Sequence, residues 1–283
     1  MSVLTIERLA GTIGVEIVDA DPERMASDDA YVAAIVDALE ANGVLVFREL
    51  DLDPETQIAF CRRVGEIDTS YEGGLTDVPG VIKISLDPTV NSRAEILKAT
   101  FDWHIDGCIA MNGECPQMAT VLTAAVVAMQ GGDTEFANTY AGYDALSDDE
   151  KERFGAMRVV HSLEASQRAS LYPDPSEEQL AAWRSRPPSV HPLVWTHRSG
   201  RKSLVLGNTA SHIVGMDEDE GHSLLLDLLA RTTVPENVYR HHWSVGDTVI
   251  WDNRGVLHRA VPYDPGSPRE MLRTTVLGDE PIQ

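Results

Sequence analysis

Residues 243–279 read WSVGDTVIWDNRGVLHRAVPYDPGSPREMLRTTVLGD. A Gly246-Asp247 turn leads into a short β-type run (248–251), a polar elbow follows at Asp252-Asn253, then His258, and a last run covers 273–277. Short runs punctuated by Gly, Pro, Asn and Asp predict an antiparallel barrel or double sheet rather than a parallel sheet. The same texture recurs at 81–85, 118–123, 190–196 and 203–206. Helices are predicted between these runs. Residues 29–42 set Val32, Ile35, Val36 and Leu39 on one face, with Gly43 where a C-terminal cap belongs. Asp53 followed by Pro54 opens a second helix that stops at Gly65. Capping boxes stand at Ser147 with Glu150 and at Ser176 with Gln179. A further helix is expected over 220–231, with Leu224, Leu225, Leu228 and Leu229 as its apolar stripe, and the acidic run 217–220 fits its N-terminus through the helix dipole.

The 283 residues contain 23 Lys plus Arg against 45 Asp plus Glu, a formal charge of -22, which repels phosphate backbones and anionic lipid. Nucleic-acid and membrane partners are therefore not expected. The most apolar window, 119–129, has eleven residues and two threonines, well short of the ~20 that a bilayer crossing needs. The start, MSVLTIERLAG, shows no basic segment before an apolar stretch, so no secretory signal is expected. Three cysteines (Cys61, Cys108, Cys115) without C-x-x-C spacing argue against a disulfide framework and fit a reducing cytoplasm. A single domain over 1–283 is expected, with the Pro-rich polar stretch 172–188 marking an insertion or lid around 165–190. No G-x-G-x-x-G after a strand and no Walker loop occurs.

The chemistry is carried by His104-Ile105-Asp106. On a strand, residues i and i+2 share a face, so both side chains can reach one metal ion. By itself the pair is weak, since nine histidines and 45 acids in 283 residues give about 1.4 such spacings by chance. His258, far along the chain, completes a 2-His-1-carboxylate set, which holds Fe(II) on three adjacent positions and leaves the other three open. A 2-oxo acid would chelate two of those and O2 the third. The distal carboxylate of such a cosubstrate, inside so acidic a protein, needs a fixed cation that grips it bidentately. Arg269 is placed for this, and Thr134, after the Gly131-Gly132 turn, would add a hydroxyl.

WHID (103–106), GGDTEFANTYAGYDALS (131–147), WDNRGVLHRA (251–260) and REMLRTTVLGD (269–279) resemble, in order and spacing, the TauD/TfdA group of Fe(II)- and 2-oxoglutarate-dependent dioxygenases over about residues 40–280. The resemblance implies a mainly β fold with flanking helices, a double-stranded β-helix (jelly roll). It implies His104, Asp106 and His258 as iron ligands and Thr134 and Arg269 as the 2-oxoglutarate clamp. Arg273 would stand beside cosubstrate and substrate anion. The implied reaction hydroxylates a substrate C–H and releases succinate and CO2. Asp106 disfavours a halogenase, which needs that carboxylate removed.

The segment 199–216 resembles the phenoxyalkanoate branch more than the taurine branch, which favours an aryloxyalkanoate-like carboxylate as the small anionic substrate over an alkylsulfonate. His212, and less so His197, are candidates for the substrate pocket, with Cys108 as its wall. Cys108 replaces a serine and Thr89 a lysine of the phenoxyacetate enzyme, which implies a less basic pocket. His241-His242 is expected to be a solvent-side pair. The family also makes a homo-oligomer the expected assembly. A zinc hydrolase and a non-catalytic jelly-roll binding module remain as alternatives from other classes; neither gives Thr134 or Arg269 a role.

Overall fold

The computed structural model describes residues 4–9, 11–109, 116–172 and 174–283; Cys115 and the first three residues of the N-terminal reading lie outside them. A seven-stranded sheet runs in the order Thr5–Arg8, Val15–Val18, Val44–Phe47, Thr248–Asp252, Gln117–Val126, Glu270–Leu277 and Ile82–Ile84. Its pairs are antiparallel except Val15–Val18 with Val44–Phe47. A second sheet joins Val238–His241, Thr134–Asn138 and Val256–Ala260. Smaller sheets formed by Ala210–Ile213, Arg158–His161 and Ser189–Pro192, and by Lys202–Leu204 with Val194–Thr196, complete the β structure.

The alternation of side chains along each strand decides what lies on either face of the large sheet. Leu45, Phe47, Ala119, Val121, Ile250 and Val276 point outward and pack with Met25, Val32, Ile35, Leu39 and Phe60 of the N-terminal helices. Val44, Val46, Leu122, Val249, Trp251 and Met271 point inward and meet Phe136, Tyr239 and Val256 of the second sheet. Each such side chain, fully buried, contributes about 1.5–3 kcal/mol. The inward set matters for function, because Thr120, Arg273 and His258 lie on the same inner faces.

The helices at Asp29–Asn42 and Pro54–Val64 follow the sequence reading, with Gly43 at φ 74° as the cap of the first and Asp53 capping the second through Thr56 N–H. Both capping boxes form. The expected helix 220–231 is one turn longer, Glu218–Thr232, because Asp217 accepts from the Asp219 and Glu220 N–H groups and moves the start upstream. The run 190–196 divides at fully buried Leu193 into strands of different sheets. The stretch expected to be an insertion or lid contains two short helices, Leu163–Ser170 and Glu177–Arg184, joined by ion pairing of Arg184 to Glu164. Among the described residues no helix is long and apolar enough to cross a membrane.

Candidate metal and cosubstrate site

His104 and His258 approach through their backbones. His104 N–H donates to the His258 carbonyl (3.0 Å) and His258 N–H donates to the His104 carbonyl (2.9 Å), an isolated antiparallel bridge that adds the 103–106 segment to the edge of the second sheet. The pairing sets the two imidazoles 4.1 Å apart, centroid to centroid. Gly207 presses behind this loop at φ +117°, where an added Cβ would come within 3.0 Å of the His104 Cα. Asp106, two residues along, brings Oδ1 to 3.9 Å from His104 Nε2 and Oδ2 to 3.6 Å from His258 Nε2. One ligand atom from each of the three lies within 4.8 Å of the others.

The protonation states suit a metal. Burial pushes both imidazoles below the ordinary histidine range, which favours their neutral, metal-binding form at neutral pH. Burial alone would raise the Asp106 carboxyl, but Arg273, the two imidazoles and the Thr120 hydroxyl together hold it below the usual carboxylate range. His104 Nδ1 donates to the Asp102 carbonyl at 2.9 Å, which fixes the tautomer that presents Nε2 to the site. Two neutral imidazoles and one ionised carboxylate form a donor set that fits Fe(II) or a similar first-row ion.

Residues not singled out in the sequence brace this set. Trp251 Nε1 donates to Asn253 Oδ1 (3.0 Å), Asn253 Nδ2 to Thr120 Oγ1 (3.1 Å), and Thr120 Oγ1 to Asp106 Oδ2 (3.1 Å). Thr120 was detectable only as a polar residue within the apolar window 119–129; Trp251 ends the run 248–251 and Asn253 sits in the elbow that follows it.

A small cavity of about 60 Å³ opens beside the triad, lined by His104, His258, Thr134, Tyr263, Arg269 and Arg273 among others. Arg269 is 3% exposed. Its Nε donates to the Gly132 carbonyl (3.2 Å), and its guanidinium lies 4.9 Å from the Tyr263 ring centre. Gly132, at φ +75°, leaves no room for a side chain, since a Cβ would stand 3.0 Å from Arg269 Cδ. Glu270 pairs instead with Lys83, and Asp264 caps its own turn. Among the described residues no carboxylate forms an ion pair with Arg269. Thr134 is also buried and accepts from Trp243 Nε1 at 3.0 Å.

A larger cavity of about 440 Å³ is lined by His104 and Asp106. Cys108, Gln117, Arg273, Asn208 and Thr209 line it, together with Leu163, Ser166, Gln167 and Arg186. Burial, with Asp106 adding to it, pushes the Cys108 thiol up to about 12, so the residue is a neutral wall. Arg273 Nη2 reaches Asp106 Oδ2 (2.7 Å) and Gln117 Oε1 (3.3 Å).

The structure places the other histidine candidates, and one expectation, that for His241, is corrected. His212 lines neither cavity; its Nδ1 meets Ser211 Oγ at 3.1 Å on the strand Ala210–Ile213. His197 is packed between Trp195 and Tyr140 and hydrogen-bonds Ser203 Oγ (2.7 Å), away from both cavities. His241 is fully buried and pairs with Asp247 Oδ2 (3.1 Å), and only His242 faces solvent, because adjacent strand residues point to opposite faces. Thr89 is likewise outside the cavities, bonded to Asp87 (2.7 Å).

Residues 5–275 match the family described as taurine catabolism dioxygenase TauD, TfdA family. The chain belongs to the TauD/TfdA dioxygenase family. It is 38% identical to the alpha-ketoglutarate-dependent 2,4-dichlorophenoxyacetate dioxygenase of Cupriavidus pinatubonensis, over 94% of each chain. It is 32% identical to the (S)-phenoxypropionate/alpha-ketoglutarate-dioxygenase of Sphingobium herbicidovorans, over 89% of this chain and 88% of that one. The crystal structure of AAD-2 in complex with Mn(II) and N-oxalylglycine superposes with a TM-score of 0.83 at 31% identity, covering 99% of both chains. TauD/TfdA membership accords with the fold: two facing, largely antiparallel sheets, with the N-terminal helices packed on the outer face of the larger one.

Proposed function

We propose that this TauD/TfdA dioxygenase hydroxylates a C–H bond of a small organic anion, an aryloxyalkanoate-like carboxylate by preference, and releases succinate and CO2. We read the facing sheets as its double-stranded β-helix, and cytoplasmic action as a homo-oligomer as its setting. The carrying observation is Arg269, a buried guanidinium with no carboxylate paired to it, beside a His-Asp-His cluster. Burial lowers its affinity for a proton, with Tyr263 and Asp133 acting against that shift, and a buried charge with no carboxylate paired to it is costly. An anion in the small cavity offsets that cost, and a zinc hydrolase has no use for one there. The distal carboxylate of 2-oxoglutarate supplies it.

His104, Asp106 and His258 would hold Fe(II), with Thr134 and Arg269 gripping the far end of 2-oxoglutarate. Bound together with O2, these supply the oxidising chemistry: one oxygen atom enters succinate as CO2 leaves, and the other enters the substrate C–H bond. The protein's own part is orientation and exclusion. The Asp102 carbonyl and the Thr120–Asn253–Trp251 relay hold two ligands in place. Arg273, shared by both cavities, faces the anionic end of the substrate, while Ile82, Ile96, Leu97 and Leu163 offer an apolar wall to its body. The insertion helix Leu163–Ser170 closes one side of the larger cavity and so limits water.

The test is Fe(II)- and O2-dependent conversion of 2-oxoglutarate to succinate, compared with a phenoxypropionate, a taurine-like sulfonate and the neutral amides of each. The phenoxypropionate is expected to stimulate succinate release most. Equal stimulation by neutral amides would remove the anion requirement, and no succinate with any of them would remove the reaction itself.

A further inference from the structure

The Thr134 hydroxyl has one proton to donate, and its surroundings dictate where that proton goes. Indole N–H is a donor with no acceptor capacity, so the 3.0 Å contact from Trp243 Nε1 makes Thr134 Oγ1 the acceptor. The hydroxyl proton is then left for another partner, and among the described residues no acceptor takes it. Thr134 lines the small cavity together with Arg269. The cavity therefore presents a guanidinium and a hydroxyl whose proton has no acceptor among the described residues while one of its two lone pairs is taken by the indole.

We propose that Trp243 is a positioning residue for the cosubstrate: by donating to Thr134 it commits the hydroxyl as a donor toward the distal carboxylate of 2-oxoglutarate. This rests on the cosubstrate reading given above. Without the indole N–H, the hydroxyl is free to rotate and its oxygen lone pairs face the carboxylate for part of the time, which repels it.

The indole is braced for this task. The His241 ring meets it edge-on, 4.4 Å away at 80°. The His241 ring hydrogen-bonds Tyr239 OH (3.1 Å), and its Nε2 lies 3.1 Å from Asp247 Oδ2. Asp247 in turn accepts from Arg48 Nη1 (2.7 Å), Ser244 N–H (3.0 Å) and Glu49 N–H (3.1 Å). His241 also pairs with Thr134 across the strands Val238–His241 and Thr134–Asn138, so the brace and its target share one ladder. The Gly246-Asp247 turn, which in the sequence only marks the start of a strand, thus anchors a chain of contacts that ends at the cosubstrate.

Trp243→Phe keeps the ring and removes the donor. Titration of N-oxalylglycine into the Mn(II)-loaded protein is expected to show a dissociation constant raised about fivefold to tenfold, as for one net hydrogen bond. The KM for 2-oxoglutarate should rise in parallel, and kcat should recover at saturating 2-oxoglutarate. Thr134→Val should cost a similar factor, and the double variant no more than Thr134→Val alone, since the indole acts through the hydroxyl. Unchanged N-oxalylglycine binding in Trp243→Phe while Thr134→Val binds weakly, or losses that multiply in the double variant, would overturn the role of Trp243. Unchanged binding in both Thr134→Val and Arg269→Ala would instead overturn the cosubstrate reading, and this proposal with it. If Trp243→Phe fails to fold, the indole N–H resonance of the unaltered protein serves: it should move downfield on adding N-oxalylglycine, because a hydroxyl that donates becomes a better acceptor. A resonance that stays in place overturns the proposal.

Discussion

Arg273 Nη2 lies 2.7 Å from Asp106 Oδ2, the same oxygen that accepts from Thr120 Oγ1 at 3.1 Å. Oδ2 is thereby held by the protein, whereas Oδ1, 3.9 Å from His104 Nε2, has no hydrogen bond among the described residues. In the proposed reaction the guanidinium would be shared between Asp106 and the anion that enters the larger cavity. Arg273→Gln is expected to raise the KM for an aryloxy acid by about tenfold or more, the scale of a lost charged hydrogen bond. The KM for a neutral amide analogue should stay near its original value. Equal losses for acid and amide would show that Arg273 acts only through Asp106.

Each of His104→Ala, Asp106→Ala and His258→Ala removes one of three ligand atoms within 4.8 Å of each other. The variants should remain folded, since the strands on both sides are held by their own ladders. Under anaerobic conditions each should lose the 2-oxoglutarate–iron charge-transfer absorption and all detectable succinate production. Full turnover by any one of them would remove that residue from the metal site.

Arg269 lies in no ion pair among the described residues and is 3% exposed. Arg269→Ala should raise the 2-oxoglutarate requirement by about 30-fold or more, because truncating one partner of a buried charge pair costs about 2–5 kcal/mol. Arg269→Lys should recover only part of this, since lysine cannot grip a carboxylate with two parallel N–H groups. Steady-state titrations of 2-oxoglutarate at fixed substrate decide the matter.

What the sequence revealed was local or chemically distinctive. Asp53, Ser147 and Ser176 cap helices through neighbours three residues away, and such pairs are visible as spacing. The His104, Asp106 and His258 set was legible from residue type together with order along the chain. The braces were not, because Thr120 reaches Asp106 and Trp243 reaches Thr134 only after strands far apart in sequence pair. His241 was misread for a related reason: two adjacent histidines in a polar context give no sign of which one the strand turns inward. His212 was chosen for its neighbourhood in the chain, whereas membership of a cavity wall depends on register.

Cys61 and Cys108 are both buried, and burial raises both thiols, the Cys108 thiol to about 12. Thiolate, the reactive form, is therefore scarce at both. The native protein treated with a thiol reagent near neutral pH should leave both unlabelled, and peptide mapping after unfolding should show both modified. Rapid native labelling of Cys108 would mean that the larger cavity admits reagent and stabilises the thiolate.

Acid should destabilise the fold over a window set by its buried histidines. His161 is fully buried, with Nδ1 2.8 Å from Thr209 Oγ1 and Nε2 without a partner. Burial, with His191 adding to it, lowers its pKa from the ordinary 6.5 to about 3. The unfolded chain binds this proton below about 6.5, whereas the folded chain refuses it down to about 3. Stability from His161 is thus complete above pH 6.5 and declines as the pH falls toward the folded value, by up to about 1.4 kcal/mol per unit. His197, lowered to about 4 by burial and then by Arg254 and Arg201, acts in the same direction. Urea unfolding at pH 7.5, 6.0 and 5.0 should show the midpoint falling, with a shallower fall for His161→Gln, which has no proton to gain. The slope difference between the two proteins isolates His161 from the metal-site histidines, since both proteins contain those. Parallel slopes would mean that His161 takes up its proton without leaving the fold.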